Sequence, residues 1–270
     1  MEDIKNVEKS IIKKYRKEIW SKFVKAINNY ALIENGDKIA VCISGGKDSF
    51  LLAKCLQELK HHGKIDFALD FIVMDPGYNK ENITKIKANL KLLNIDAYIF
   101  KTDIFAVCTK ITSKPCYMCA KMRRGYLYNK AKLRGCNKIA LGHHFNDVVE
   151  TILMNQIFNG SYSSMMPKLK SSNFAGMELI RPLYLIKEEH IILWAKYNNL
   201  TFIDCACSIT KKQLGQRKKI KKLINDMKTI FPDADKGIFN GTGNVNLNTI
   251  IGGSKNGEKF NFLDDYCFKK

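Results

Sequence analysis

Between Lys38 and Leu141 four short apolar stretches alternate with segments of helical periodicity, and no other feature restricts the fold as much. The apolar stretches are Lys38–Ile43, Phe67–Met74, Ala97–Lys101 and Lys138–Leu141. Ser49–Lys60, Lys80–Leu93 and Cys119–Leu133 carry the helical pattern between them. Strands separated by helices pair in parallel, and a parallel sheet needs helices over both faces. The alternation therefore predicts a doubly wound α/β fold. A helix over Asn146–Phe158, a strand at Glu178–Pro182 and a helix at Lys187–Asn198 extend it.

Ahead of the first strand, Ile4, Val7, Ile11, Ile12, Tyr15, Ile19, Phe23, Ala26 and Ile27 recur at three- and four-residue steps. They predict one amphipathic helix over residues 3–30. Beyond Cys207 the chain changes character: Lys211–Asp226 is helical and strongly basic, and the Gly- and Asn-rich tail is poorly patterned. These shifts suggest an N-terminal helix (1–35), a central α/β domain (36–207) and a basic extension (208–270).

The chain has 270 residues and is 46% hydrophobic, enough for a substantial core. No run approaches the roughly 18 apolar residues of a membrane helix. The first 20 residues contain no compact apolar stretch of the kind found in signal peptides. A cytoplasmic protein without a membrane segment is expected. The net charge of +19 suits a polyanionic partner such as RNA. Only 6 of the 45 basic residues are arginine, so a lysine-rich composition is the competing explanation. Nine cysteines, with Cys42 and Cys55 standing singly in apolar segments, argue for a reducing compartment rather than a disulfide framework.

The first strand runs directly into Ser44-Gly45-Gly46-Lys47-Asp48-Ser49 and then into a helix. Ligands of open α/β sheets bind at the carboxyl ends of strands, where this turn lies. Gly45 and Gly46 let backbone N–H groups turn inward, and the helix offers its positive end. Ser44, Ser49 and Lys47 add donors for phosphate oxygens. The string is not Walker A, which requires G-x-x-x-x-G-K-[ST]. Asp48 beside a phosphate site makes sense as a Mg²⁺ contact. Asp75, after the second strand, belongs to the same sheet edge. "ALGHHFNDVVETILMNQ" brings His143, His144 and Asp147 there as well.

Cys116 and Cys119 form a C-x-x-C before a basic helix, and Cys205 and Cys207 follow about 86 residues later. Zinc prefers four ligands in a closed structural site. A [4Fe–4S] cluster takes cysteines as well, and with three of them one iron stays open. Spacing leaves both metals standing, with a redox pair third. Lys121, Arg123 and Arg124 follow Cys119 and are candidates for nucleotide or RNA phosphates. Arg217 and Lys218 head the candidates of the basic extension for RNA phosphates. A solvated helix face is the competing reading of each.

The glycine string resembles the pyrophosphate loop of the N-type ATP pyrophosphatases, the PP-loop or adenine nucleotide alpha hydrolase-like superfamily. From about Ile33 to Cys205 the chain resembles the tRNA 2-thiocytidine synthetases. The resemblance rests on "GDKIAVCISGGKDS", "CYMCAKMRRGYLY", "KIALGHHFNDVVET", "MMPKL" and "IRPLY" in the same order. It implies an ATP-dependent tRNA sulfurtransferase that uses Mg²⁺ and a [4Fe–4S] cluster. The implied ligands are Cys116, Cys119 and Cys205, with Cys207 as alternative third. The implied chemistry is adenylation of the C2 oxygen of cytidine 32 and its replacement by sulfur. Lys47, Asp48 and Asp147 would be catalytic; Ser44–Ser49, Asp75 and His143 would hold the nucleotide. A cysteine desulfurase or other sulfur donor would be a partner, and a homodimer would fit the family. The chain departs from that pattern in reading Asp204-Cys205-Ala206-Cys207 where the family has Pro-Cys-x-x-Cys. It carries Asn146 in place of an acid, and its tail beyond about residue 235 shows little resemblance. Rival functions are thiolation of a uridine, a lysidine-type ligase, and a non-enzymatic iron- or zinc-bearing RNA-binding protein.

Overall fold

Every residue of β1 (Asp37–Ile43) except Lys38 is buried, which a strand tolerates only at the centre of a sheet covered on both faces. The computed structural model describes residues 2–111, 115–203, 210–264 and 266. Ahead of β1, the predicted single helix is α1 (Glu2–Lys9), two π-helical stretches (Ser10–Lys14 and Arg16–Trp20) and α2 (Ser21–Asn29). Tyr15 N–H donates to Ser10 O at 2.8 Å and Trp20 N–H to Tyr15 O at 3.3 Å, the five-residue step of a π turn. The looser winding rephases the helix, so that Ile11, Ile19 and Phe23 are all fully buried.

After β1 come α3 (Lys47–His62), β2 (Phe67–Asp75), α4 (Lys80–Leu92), β3 (Ala97–Lys101), α5 (Ile104–Thr109), α6 (Pro115–Leu133) and β4 (Lys138–Ala140). Then follow α7 (Phe145–Asn159), β5 (Lys168–Lys170), β6 (Glu178–Ile180), α8 (Glu188–Tyr197), α9 (Thr210–Ile230), α10 (Ala234–Gly241), β7 (Gly252–Lys255) and β8 (Glu258–Asn261). The main sheet has the order β3-β2-β1-β4-β6-β5. Its strands are parallel except β5, which pairs antiparallel with β6. Val41 of β1 pairs with Phe71 on one side and Ala140 on the other. The chain thus winds outward from β1 through β2 to β3, then returns to β1's other side as β4. That reversal opens a crevice at the carboxyl ends of β1 and β4.

One core layer packs Phe50, Leu51 and Trp194 with the N-terminal helices. The other packs Ile72, Phe100, Tyr128 and Cys136 between the sheet and α5–α6. Among the described residues no helix is long and apolar enough to cross a membrane.

Several elements differ from the sequence expectation. Helix α6 begins at Pro115, four residues before the expected start at Cys119, so both cysteines of the C-x-x-C lie within its first five residues; proline at the first helical position loses no hydrogen bond there. The tail holds the hairpin β7–β8, turned by Asn256 (φ 55°) and Gly257 (φ 88°). Asn-Gly is a strong hairpin signal, because both residues tolerate positive φ. The short α5, α10 and β5 gave too few residues for a readable period. Glu178–Ile180 ends two residues earlier than the strand expected through Pro182, whose ring removes a ladder donor.

Candidate active site

The Ser44–Gly46 turn joins β1 to α3, with Gly46 as N-cap. Gly45 has φ +89°, and a Cβ there would sit 2.6 Å from Ile203 Cδ1 and 2.9 Å from Ile86 Cδ1. Glycine is therefore required on both conformational and steric grounds. Ile203 N–H also donates to Gly45 O at 3.3 Å, anchoring the chain just before residue 204 to the turn. Ser49 is buried; its hydroxyl donates to Gly46 O at 2.8 Å and accepts from Ser44 N–H at 3.1 Å. These bonds close the turn around Ser44, which stays exposed.

Lys47 and Asp48 open α3. Lys47 Nζ lies 3.3 Å from Asp48 Oδ1 and 3.2 Å from Glu188 Oε1. Burial pulls the Lys47 ammonium downward, but Asp48 and Glu188 raise it above the ordinary lysine value. Asp48 is raised by burial, against the pull of His144 and Lys47. Its Oδ1 is buried and accepts no hydrogen bond, with the Lys47 ammonium at 3.3 Å and the His144 imidazole at 3.9 Å as its ionic neighbours. A buried carboxylate oxygen held by ionic contacts alone keeps lone pairs for an arriving cation or donor.

The end of β4 supplies the second half. A Cβ on Gly142 would stand 3.1 Å from Asp48 C and Ser49 N, so this glycine lets β4 press against the first turn of α3. His144 caps α7: its backbone N–H donates to Asp147 Oδ2 at 3.0 Å. His144 Nε2 stands 3.6 Å from Asp147 Oδ2 and 3.9 Å from Asp48 Oδ1, between the two carboxylates. His143 accepts from Arg181 Nε through Nδ1 at 3.3 Å. Burial lowers His143 to about 4, so the imidazole is neutral at pH 7. Among the described residues no three His, Cys, Asp or Glu side chains form a closed metal site. Two carboxylates without a cage are the usual protein share of a Mg²⁺ site completed by phosphates.

These groups border a cleft of about 420 Å³. Its floor is apolar, with Cys42, Met74, Ile139 and Leu179; Asp48, Ser49, His143 and Asp147 stand on one side. Ala120, Arg123, Arg124 and Leu127 of α6 form the facing wall. Arg123 lies over the Phe105 ring, 5.3 Å from its centroid, and its Nε is buried without a hydrogen-bond partner. Cys119 is half-buried one turn earlier on α6. Cys42, although on the floor, is pushed up to about 12 by burial and stays protonated.

Asp75 touches the cleft indirectly. Its Oδ1 accepts from the backbone N–H groups of Gly77 at 3.0 Å and Tyr78 at 2.7 Å. Tyr78, which lines the cleft, donates its hydroxyl to Ser44 O at 3.1 Å. Arg217, expected at an RNA phosphate, is engaged with carboxylates: Asp147 Oδ1 at 2.7 Å, and Glu150. Burial lowers the Arg217 guanidinium, but Asp147 and Glu150 raise it above the ordinary arginine value. Lys121, Arg124 and Lys218 are exposed. The Cys116 side chain and residues Cys205 and Cys207 lie outside the described part. Tyr78, Gly142, Arg181 and Glu188 escaped the sequence reading; Gly142 and Arg181 lay inside the quoted motifs, whereas Tyr78 and Glu188 carried no signal.

The fold, the switch-point cleft and the glycine turn define a PP-loop domain, and residues 15–225 match the ATP_bind_3 family, described as a PP-loop domain. The chain is 36% identical over 236 residues to the tRNA-cytidine(32) 2-sulfurtransferase of Geobacter metallireducens, covering 86% of this chain and 91% of that protein. It is 32% identical over 265 residues to tRNA-cytidine(32) 2-sulfurtransferase 1 of Francisella tularensis subsp. novicida, covering 96% of each. That match reaches into the tail, where motifs alone showed little likeness. Among solved structures, the U34-tRNA thiolase NcsA from Methanococcus maripaludis, determined with its [4Fe-4S] cluster, shares the fold. Its TM-score is 0.66 at 23% identity, over 83% of this chain and 76% of that one. This chain belongs to the tRNA-cytidine(32) 2-sulfurtransferase family.

Proposed function

We propose that the cleft binds ATP beside a cytidine of tRNA, cytidine 32, and that the C2 oxygen of this base is exchanged for sulfur. One observation carries the reading: the Asp48 carboxylate, whose buried Oδ1 accepts no hydrogen bond, stands beside the glycine turn and lines the same cleft as the arginines of α6, the helix whose first five residues hold the C-x-x-C.

The backbone N–H groups of the turn and the Lys47 ammonium take phosphate oxygens, preorganised where negative charge collects. Asp48 and Asp147 would hold Mg²⁺, which would offset triphosphate charge; their oxygens fit this hard cation. The C2 oxygen forms a bond to the α-phosphorus. The bond from that phosphorus to the bridging oxygen breaks, and pyrophosphate leaves with the electron pair. A sulfur nucleophile adds at C2, and AMP departs carrying the former carbonyl oxygen. Adenylation thus turns a poor leaving group into a good one. Arg123 and Arg124 line the cleft and would meet the nucleotide and the base there. His143, neutral, fixes Arg181 without adding charge.

The donor set also fits an iron–sulfur centre. Residues 116 and 119 open α6, and the positive end of a helix favours thiolates. With Cys205, or Cys207 in its place, they would hold a [4Fe–4S] cluster, which would keep a bound sulfur deprotonated at neutral pH. Lys121, Arg124 and Lys218 are offered to the tRNA backbone, with a cysteine desulfurase or another donor supplying the sulfur.

The test uses protein purified without oxygen, given tRNA, Mg²⁺, ATP and sulfide. Expected products are pyrophosphate, AMP and 2-thiocytidine by nucleoside mass spectrometry. Release of ADP and phosphate, or thiolation confined to uridine, would overturn the reading.

A further inference from the structure

Glu188, the first residue of α8, has no part in the chemistry above, yet its carboxylate joins the nucleotide turn to the basic helix. Oε1 lies 3.2 Å from Lys47 Nζ of α3, and Oε2 accepts from Lys221 Nζ of α9. Its backbone N–H donates to Asn146 Oδ1 of α7 at 2.9 Å. Four helices therefore meet at one residue. Asn146, where the family carries an acid, provides this anchor without setting a second negative charge beside Glu188. Burial pushes Glu188 upward, but Lys221 and Lys47 hold it down at about 2.

We propose that Glu188 is a positioning residue for Lys47: it holds the ammonium beside the phosphate site until a phosphate oxygen displaces it, and Lys221 then stays as the partner of the carboxylate left behind. The proposal rests on the ATP reading. A lysine stem has much rotamer freedom to lose, so holding the ammonium in line serves the chemical step, while the carboxylate that holds it competes with phosphate during binding. The other partner of Lys47 is Asp48, the candidate Mg²⁺ contact, which leaves Glu188 as the carboxylate that can yield. With its side chain 18% exposed, Glu188 would be costly to strand unpaired. Lys221 removes that cost, because α9 is held in place independently by Ile220 and Ile224 against Phe145, Val149 and Leu153.

Two substitutions should act with opposite signs on ATP affinity, measured by calorimetry with Mg²⁺-ATP on the full chain without tRNA. Glu188→Gln keeps the size but removes the charge that competes with phosphate, so ATP should bind about threefold tighter. Pyrophosphate release with tRNA should slow about tenfold, because Lys47 is no longer held in line. Lys221→Gln leaves Glu188 with Lys47 alone, so ATP should bind about threefold weaker. The double variant should match Glu188→Gln, because Lys221 acts through the carboxylate. Lys221 is exposed, so its substitution does not threaten the fold. Equal or weaker ATP binding by Glu188→Gln overturns the proposal. So does a Lys221→Gln variant that binds as wild type does, or one whose loss persists in the double variant. Wild-type protein that fails to bind ATP overturns the reading beneath it.

Discussion

The two walls of the cleft are built in opposite ways. On the α3–α7 side nearly every charged group is paired within the protein: Lys47 with Asp48 and Glu188, and Asp147 with His144 and Arg217. On the α6 side Arg123 keeps a buried nitrogen without a hydrogen-bond partner and Arg124 is exposed. The first wall is an ion-paired network in which Asp48 Oδ1 and His144 Nδ1 are buried without a hydrogen bond; the second carries the arginines of one helix. A closed network fixes geometry before the ligand arrives, as a phosphate site requires. A looser wall can admit a large polyanion. Counting positive charges along the chain does not separate the two.

The contrast is tested most severely at Asp48. Asp48→Ala should lower tRNA-dependent pyrophosphate release by at least about a hundredfold while iron content is unchanged, since it touches only the closed wall. If iron were lost as well, the walls would not be separable. On the other wall, Cys205→Ala should lose the cluster's iron, about four per chain, together with 2-thiocytidine, and still bind ATP. Cys207→Ala should keep most of both. Iron retained in the first and lost in the second would reverse the assignment.

Gly142→Ala probes the closed wall more gently. The added methyl meets the α3 backbone at 3.1 Å, so the Asp48 turn must shift by a few tenths of an ångström. A drop of about tenfold in pyrophosphate release is expected, with the melting temperature little changed. The closed wall should also show in acid. The His143 pKa is about 4 when folded, below the ordinary value of 6.5. Between those values the unfolded chain binds more protons, so stability falls as pH drops from 6.5 towards 4. His143→Asn should flatten that part of a denaturation profile; an unchanged slope would place the titration elsewhere. The smallest effect belongs to the exposed face of α9. Lys218→Ala should weaken tRNA binding uniformly and reduce the salt slope by about 1, whereas no effect would make Lys218 a solvated side chain.

Local pattern made much of this protein legible. Buried parallel strands require unbroken apolar runs, so β1 to β4 were visible to within a residue or so, and Gly45-Gly46 announced a phosphate turn, in which Gly45 takes the positive φ that other residues rarely adopt. Asn256-Gly257 is a hairpin signal that the reading of the tail as poorly patterned missed. Tertiary structure alone decided which charges are already taken. Arg217 looks in sequence like its neighbour Lys218, yet one faces Asp147 across some 70 residues of chain and the other faces water. Glu188 is an ordinary first-turn acid until the sheet's reversal carries α8 beside α3. Periodicity records only which face of an element is apolar; pairing between charges distant in sequence depends on how the faces meet, and that is fixed when the core closes.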